Sequence, residues 1–140
     1  MAPPRAKHFE YALSVDRAGT ATPGGGEPLA LGEEWTPEHL VLAGLVRCSI
    51  ASLQYHAQRA NRDAVADASA WGLVTRRDED GRYAFVEIEC RIEVEVEPAP
   101  DDVGALLAKA ERDCFVGASL TVKPRYRWTV NGEGAEAMGA

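Results

Sequence analysis

The stretch from Trp35 to Ala60, WTPEHLVLAGLVRCSIASLQYHAQRA, carries the longest apolar demand in the chain and decides its architecture. Thr36 is a natural N-cap, Pro37 suits the first helical position, where no amide hydrogen is missed, and Glu38 brings negative charge into the first turn. A helix is therefore predicted from Thr36 to Ala60. Its apolar residues, among them Leu40, Leu42, Leu45, Ile50 and Leu53, fall on every side of a 3.6-residue wheel, so the helix is expected to be buried all round. Arg47, Gln54 and an apolar run well short of ~20 residues exclude a membrane span. Near the middle stands Cys48, the candidate reactive group.

The rest of the chain limits what that helix can belong to. With 140 residues and 15.1 kDa, one domain with one core is expected, ordered from about residue 7 to 130. A net charge of −7 and few aromatics argue against a nucleic-acid partner. No apolar run follows the first residues, so no signal peptide is read and a cytoplasmic location is expected. Cys48, Cys90 and Cys114 are too few and scattered for a disulfide framework; in a reducing compartment such thiols are packing residues, reactive groups or metal ligands.

Outward from the helix, polar and apolar residues alternate over His8–Asp16, predicting a half-buried strand with Phe9, Tyr11, Leu13 and Val15 inward. Three glycines then mark a turn between short strands near Gly19–Thr22 and Pro28–Leu31. Beyond the helix, Val65–Arg77 reads as a strand of open phase, ending in an Asp-Gly turn at DEDGR. The return strand, Arg82–Glu97, sets Val86, Ile88, Cys90, Ile92, Val94 and Val96 against a row of glutamates. Straight, it would run about 50 Å, so a bulge or bend is expected. Asp101 or Asp102 caps a second helix to about Asp113, with Val103, Leu106, Leu107 and Ala110 in one apolar stripe. A final strand, Leu120–Val130, turns Tyr126 and Trp128 inward and a basic row outward, which makes it a neighbour of the glutamate strand. Residues 131–140 offer nothing to bury and are expected to fray.

The fold class that follows is α+β: a mostly antiparallel sheet, a long buried central helix and a shorter second helix. Such a sheet covers only one side of the central helix. A second copy of the chain is the simplest cover for the other, giving a two-fold homodimer with its central helices side by side.

TPEHLVLAGLVRCSIASL resembles the signature of the OsmC/Ohr family of thiol peroxidases, a helix opening Pro-Glu-x-Leu with the reactive cysteine ten residues after the glutamate. AERDCFVGASL is similar to that family's second-cysteine segment, and the order of elements agrees from about Phe9 to Val130. The resemblance implies an intertwined homodimer that reduces organic hydroperoxides with a cysteine pair, here Cys48 and Cys114. It implies Arg17 in the position of the family's N-terminal arginine and Glu38 in that of its helix-start glutamate. It implies no bound cofactor or metal, only an external dithiol reductant, of lipoyl type among others. Two departures bear on substrate preference: Arg47 stands where small residues usually precede the first cysteine, and Phe115, Val116 and Gly117 stand in place of Pro-Val-Ser.

Peroxide reduction requires a thiolate, and an ordinary thiol titrates near 8.5. Cys48 in mid-helix gains little from the dipole, so a guanidinium such as Arg17 is the expected stabiliser. Cys114, at a helix C-terminus, is the poorer attacker and the expected resolving thiol. Ten helical residues span ~15 Å, so Glu38 reaches Cys48 only from another subunit, where it would orient Arg17. The plain alternatives are Cys48 as a small core residue, Glu38 as a first-turn charge and Arg17 as a solvated turn residue. Cys90 reads as packing, and His39 and His56 are remote candidates for metal ligands. On the same fold, a non-catalytic dimeric binding or stress protein is the alternative function.

Overall fold

The computed structural model describes residues 6–139, which form two compact units, one ending at Pro37 and one beginning at Glu38. In the first unit, β1 (Leu13–Val15), β2 (Thr20–Pro23) and β3 (Leu29–Ala30) make a small antiparallel sheet in the order β1-β2-β3. The strand expected over His8–Asp16 is reduced to β1, because β2 ends opposite Leu13 and offers no ladder to the residues before it. Phe9, Tyr11, Leu13 and Val15 are exposed rather than half-buried. The two short strands after the β1–β2 turn fall where the glycine-rich segment predicts them.

α1 (Pro37–Arg59), all but its first residue in the second unit, is followed by β4 (Asp63–Arg76), β5 (Tyr83–Glu97), α2 (Val103–Arg112), α3 (Phe115–Ser119), β6 (Arg125–Val130) and β7 (Glu133–Ala135). The sheet order is β4-β5-β6-β7. Within one chain α1 is not buried all round. The sheet and α2 cover a single stripe, Leu45, Ser49, Ser52, Leu53 and Ala57, and leave Leu40, Ala43, Arg47, Ala51 and Tyr55 exposed.

The bulge lies in β5. Leu73 pairs with Glu87 and Val74 with Phe85, so Val86 has no partner and the long ladder breaks its straight run there. Opposite this break Gly72 is required by space: a Cβ would meet the Phe85 ring at 2.6 Å and the Leu42 side chain at 3.4 Å. Beyond it the alternation is strict, and Ile88, Cys90, Ile92, Val94 and Val96 are all buried.

β5 and β6 are neighbours, as the opposed charge rows imply, but they run parallel. Two helices separate them in sequence, and a connection of that length permits a parallel crossover. Glu89 takes Arg127 at 2.8 Å and Arg91 at 3.1 Å on the exposed face, pairs that solvent screens. Asp102 is the cap of α2, its carboxylate accepting from the Ala105 N–H at 3.0 Å.

Two elements depart from the sequence reading. The segment after Cys114 coils into α3 before β6 begins at Arg125, which shortens the last predicted strand. The tail does not fray after Val130. Asn131 (φ 49°) and Gly132 (φ 81°) form a two-residue turn of the kind that favours hairpins, and β7 returns along β6 with Ala135 and Ala137 against the core. Small residues suffice there because the ladder, not side-chain bulk, holds the strand.

Candidate functional site

Two core clusters lie beneath α1. One holds Leu53, Ile92, Val94, Leu106, Leu107 and Trp128; the other gathers Leu45, Ile88, Cys90 and Cys114, with Cys48 and Val116 packed against it. The second is the candidate site. It arises because three elements each direct a sulfur to one place: α1 contributes Cys48, the inward face of β5 contributes Cys90, and the junction of α2 and α3 contributes Cys114.

The Cys48 thiol is half-buried and packs, with Val116, against the cluster that holds Cys114. Burial pushes the Cys48 thiol above its ordinary value. The Val116 and Phe115 amides pull it back in part, while the neighbouring Cys114 adds to the rise. These amides are a source of thiolate stabilisation that the sequence did not reveal, since Arg17 was the only candidate there. No disulfide joins the pair; all three cysteines are free thiols.

Cys114 is fully buried, and its setting corrects the electrostatic argument made for it. It follows the C-terminus of α2 but is also the N-cap of α3, where its sulfur accepts the Gly117 N–H at 3.4 Å. The negative end of one helix is thus countered by amides of the next. Ser49, also fully buried, lies 3.5 Å from Cys114 Sγ, donates to the Leu45 carbonyl at 2.9 Å and meets the Tyr126 hydroxyl at 2.9 Å. Burial drives the Tyr126 phenol well above the usual tyrosine range, against the opposing pull of its bond to Ser49. Cys90 is pushed up to about 12, first by burial and then by the charges of Cys114, Glu111 and Glu89. That makes it inert as a nucleophile at neutral pH, in keeping with a packing role.

The sequence also named Arg17, Glu38 and His56. Arg17 is exposed in the first unit, in the β1–β2 turn, where Asp16 accepts from the Ala18 and Thr20 N–H groups. Glu38 is exposed in the first turn of α1, and the helix is continuous to Cys48, so ~15 Å separates them along its axis. His56 serves structure, bonding Asp113 at 2.7 Å and tying α1 to the end of α2. Among the described residues no group of three or more His, Cys, Asp or Glu is placed to hold a metal, and no helix is long and apolar enough to cross a membrane.

Ser49 and Tyr126 were missed, although a signal for them existed. Leu45, Ser49 and Leu53 recur at the spacing of one helical face, and the alternation of the last strand already turned Tyr126 inward. Joining the two needed only the helix-on-sheet packing. A cavity of ≈ 910 Å³ has Glu111, Gly117, Lys123 and Tyr126 in its wall; Cys48 is not part of that wall.

The similarities to known proteins concern the fold and the family. A model of the family described as OsmC-like protein matches residues 30–129. An OsmC-like protein of unknown function from Vibrio cholerae superposes with a TM-score of 0.73 at 14% identity, over 86% of this chain and 99% of the other. An OsmC-like protein from Mycoplasma pneumoniae gives 0.68 at 15% identity, over 90% and 99%. The organic hydroperoxide resistance protein OhrB of Bacillus subtilis gives 0.54 at 16% identity, over 87% and 96%. At these identities the likeness is one of fold. No curated protein matches the sequence. The match to the family model covers well over half of the chain, and the chain therefore belongs to the OsmC-like family.

Proposed function

We propose that this protein is a cysteine-based peroxidase that reduces organic hydroperoxides to alcohols through Cys48 and Cys114. One observation carries the reading: two thiols far apart in sequence meet in one core cluster, the first half-buried and the second closed off from solvent. Only the accessible thiol can meet a substrate as large as an alkyl hydroperoxide, so Cys48 is the attacker.

The Cys48 thiolate attacks the terminal oxygen of the peroxide. The oxygen–oxygen bond breaks, the sulfur is oxidised to a sulfenic acid, and the alkoxide takes a proton and leaves as the alcohol. Cys114 then attacks that sulfur. The sulfur–sulfur bond forms as the sulfur–oxygen bond breaks, and the hydroxide leaves as water. An external dithiol, for example of lipoyl type, returns the disulfide to two thiols and is itself oxidised to a disulfide. No resident cofactor enters the scheme.

In this reading the remaining thiolate stabilisation comes from Arg17, oriented by Glu38, in a composite site of a homodimer. Support for a second copy comes from the apolar residues left exposed in both units, Phe9, Tyr11, Leu13 and Val15 in one and Leu40 and Tyr55 in the other. The setting is a reducing cytoplasm, where free thiols persist.

The test is a coupled assay with cumene hydroperoxide and dithiothreitol or a lipoyl dithiol. Turnover that vanishes in Cys48→Ser and falls sharply in Cys114→Ser is the expected result. The second reading, a dimeric binding or stress protein without catalysis, is favoured by the upward shift of Cys48 within a single chain. No turnover with both thiols intact would favour it over the first.

A further inference from the structure

The contacts around Ser49 restrict where its proton points. A serine hydroxyl has one hydrogen and two lone pairs, and the Leu45 carbonyl, which can only accept, takes the hydrogen at 2.9 Å. With the serine hydrogen on Leu45, the Tyr126 hydroxyl at 2.9 Å donates to Ser49 Oγ, and the Cys114 thiol has two acceptors in reach, Ser49 Oγ at 3.5 Å and the Leu45 carbonyl at 4.0 Å. All this occurs around a hydroxyl sealed from water. While Cys114 is a thiol the network is complete. Once Cys114 loses its proton, a sulfur anion faces a lone pair of Ser49, and the pair repels unless the hydroxyl turns.

Resting on the peroxidase reading above, we propose that Ser49 is a catalytic donor for the resolving step: its hydroxyl swings from the Leu45 carbonyl to Cys114 Sγ as that thiol ionises, while Tyr126 holds and polarises the serine oxygen. Tyr126 is the positioning residue of the relay. It pairs with Cys90 across β5 and β6 and stacks on Trp128 with ring centroids 5.6 Å apart, so its hydroxyl is fixed from the sheet side. The Gly117 N–H already donates to the same sulfur at 3.4 Å, so the ionised Cys114 would accept two hydrogen bonds in a site without water. Leu45 gives up only the extra bond, since a carbonyl inside a helix retains its own amide partner.

The chemistry balances without any further reactant. Cys114 S–H and Cys48 S–OH become a disulfide and water, the Cys114 proton leaving on the departing hydroxide, and the relay ends with the protons it began with. The titratable groups facing Cys114 are Cys48 from α1 and Cys90 and Tyr126 from the sheet, with Glu111 of α2 acting on the last two.

Two readouts separate the relay from a hydroxyl that merely satisfies its own helix. The first is the Cys114 titration in reduced, full-length protein, followed by its ¹³Cβ shift. The second is the lifetime of the Cys48 sulfenic acid after one equivalent of cumene hydroperoxide, trapped with dimedone across pH. In Ser49→Ala the Cys114 midpoint should rise by about one pH unit and the sulfenic acid should live about tenfold longer, the scale of one hydrogen bond to an anion. Tyr126→Phe keeps the stacked ring and should move both readouts the same way by about threefold. If Ser49→Ala does not fold, Tyr126→Phe carries the test alone. A folded variant with an unchanged midpoint overturns the relay. Should wild type form no sulfenic acid while the midpoints still separate, the relay stands and the peroxidase reading falls.

Discussion

The two halves of the core under α1 are built from different material. Around Leu53, Leu107 and Trp128 the filling is almost wholly hydrocarbon, and the main polar atom, the Trp128 indole N–H, is satisfied by Glu111 at 2.8 Å. Around Leu45 and Ile88 the filling is sulfur and hydroxyl: Cys48, Cys90 and Cys114, with Ser49 and Tyr126 bridging them. One helix serves both halves, its later turns packing on the first and its middle on the second. Stability is therefore expected to concentrate at one end of α1 and titratable chemistry at the other.

Truncation in the hydrocarbon half should produce the largest change. Leu107 is fully buried on the apolar stripe of α2, and Leu107→Ala removes that packing and leaves a cavity, for a loss of about 2–5 kcal/mol in urea unfolding. If the halves are as distinct as their composition, the variant below its melting point should still form the Cys48–Cys114 disulfide on mild oxidation. Loss of disulfide formation in a folded Leu107→Ala protein would mean that the two halves act as one.

The thiol half should answer to pH instead. Cys48 lies above the ordinary thiol value within a single chain, mainly through burial, so its alkylation by iodoacetamide should climb about tenfold per pH unit from neutrality until the thiol titrates. An alkylation profile that levels off near neutral pH would instead require a cation beside the sulfur. Arg17→Ala should then move the profile back upward by at least about one unit, which tests the composite site directly. At Cys90 the same physics appears as stability. Its value in the folded state is about 12 against 9.0 for a free cysteine, so between those limits the folded protein holds a proton the unfolded chain has lost. Stability from this group is complete below pH 9 and falls as pH rises toward 12, at up to about 1.4 kcal/mol per pH unit. Cys90→Val should flatten that alkaline decline; an identical slope in both proteins would show that Cys90 titrates normally.

The hydrocarbon half was the legible one. Alternation along Arg82–Glu97 and the stripe on α2 name its residues directly, because burial on one face imposes a period that any reader of the sequence can see. The thiol pair was legible only through the contexts of its two cysteines. What escaped was the α3 turn and everything it positions, since five residues carry too little period to betray a helix and Cys114 gives no sign that it caps one. The tail was misread for the opposite reason: Gly134 and Ala135 look too small to matter, yet the Asn-Gly turn before them was the stronger signal. The all-round apolar character of α1 was read correctly as a pattern, but a single chain covers only the stripe that includes Leu45 and Leu53.

The smallest effect separates two neighbouring serines on that stripe. Ser49 has three hydrogen-bond contacts, while Ser52, one turn from Cys48, has a buried hydroxyl with no partner among the described residues. An unmet buried hydroxyl carries a desolvation cost that a methyl group does not, and alanine is also the better helix former. Ser52→Ala should therefore be neutral or stabilising by up to about 1 kcal/mol, whereas Ser49→Ala should destabilise by a similar amount, because it removes the acceptor of the half-buried Tyr126 hydroxyl. Paired thermal melts decide it. A clear loss in Ser52→Ala would mean that the hydroxyl finds a partner within the covered stripe of α1.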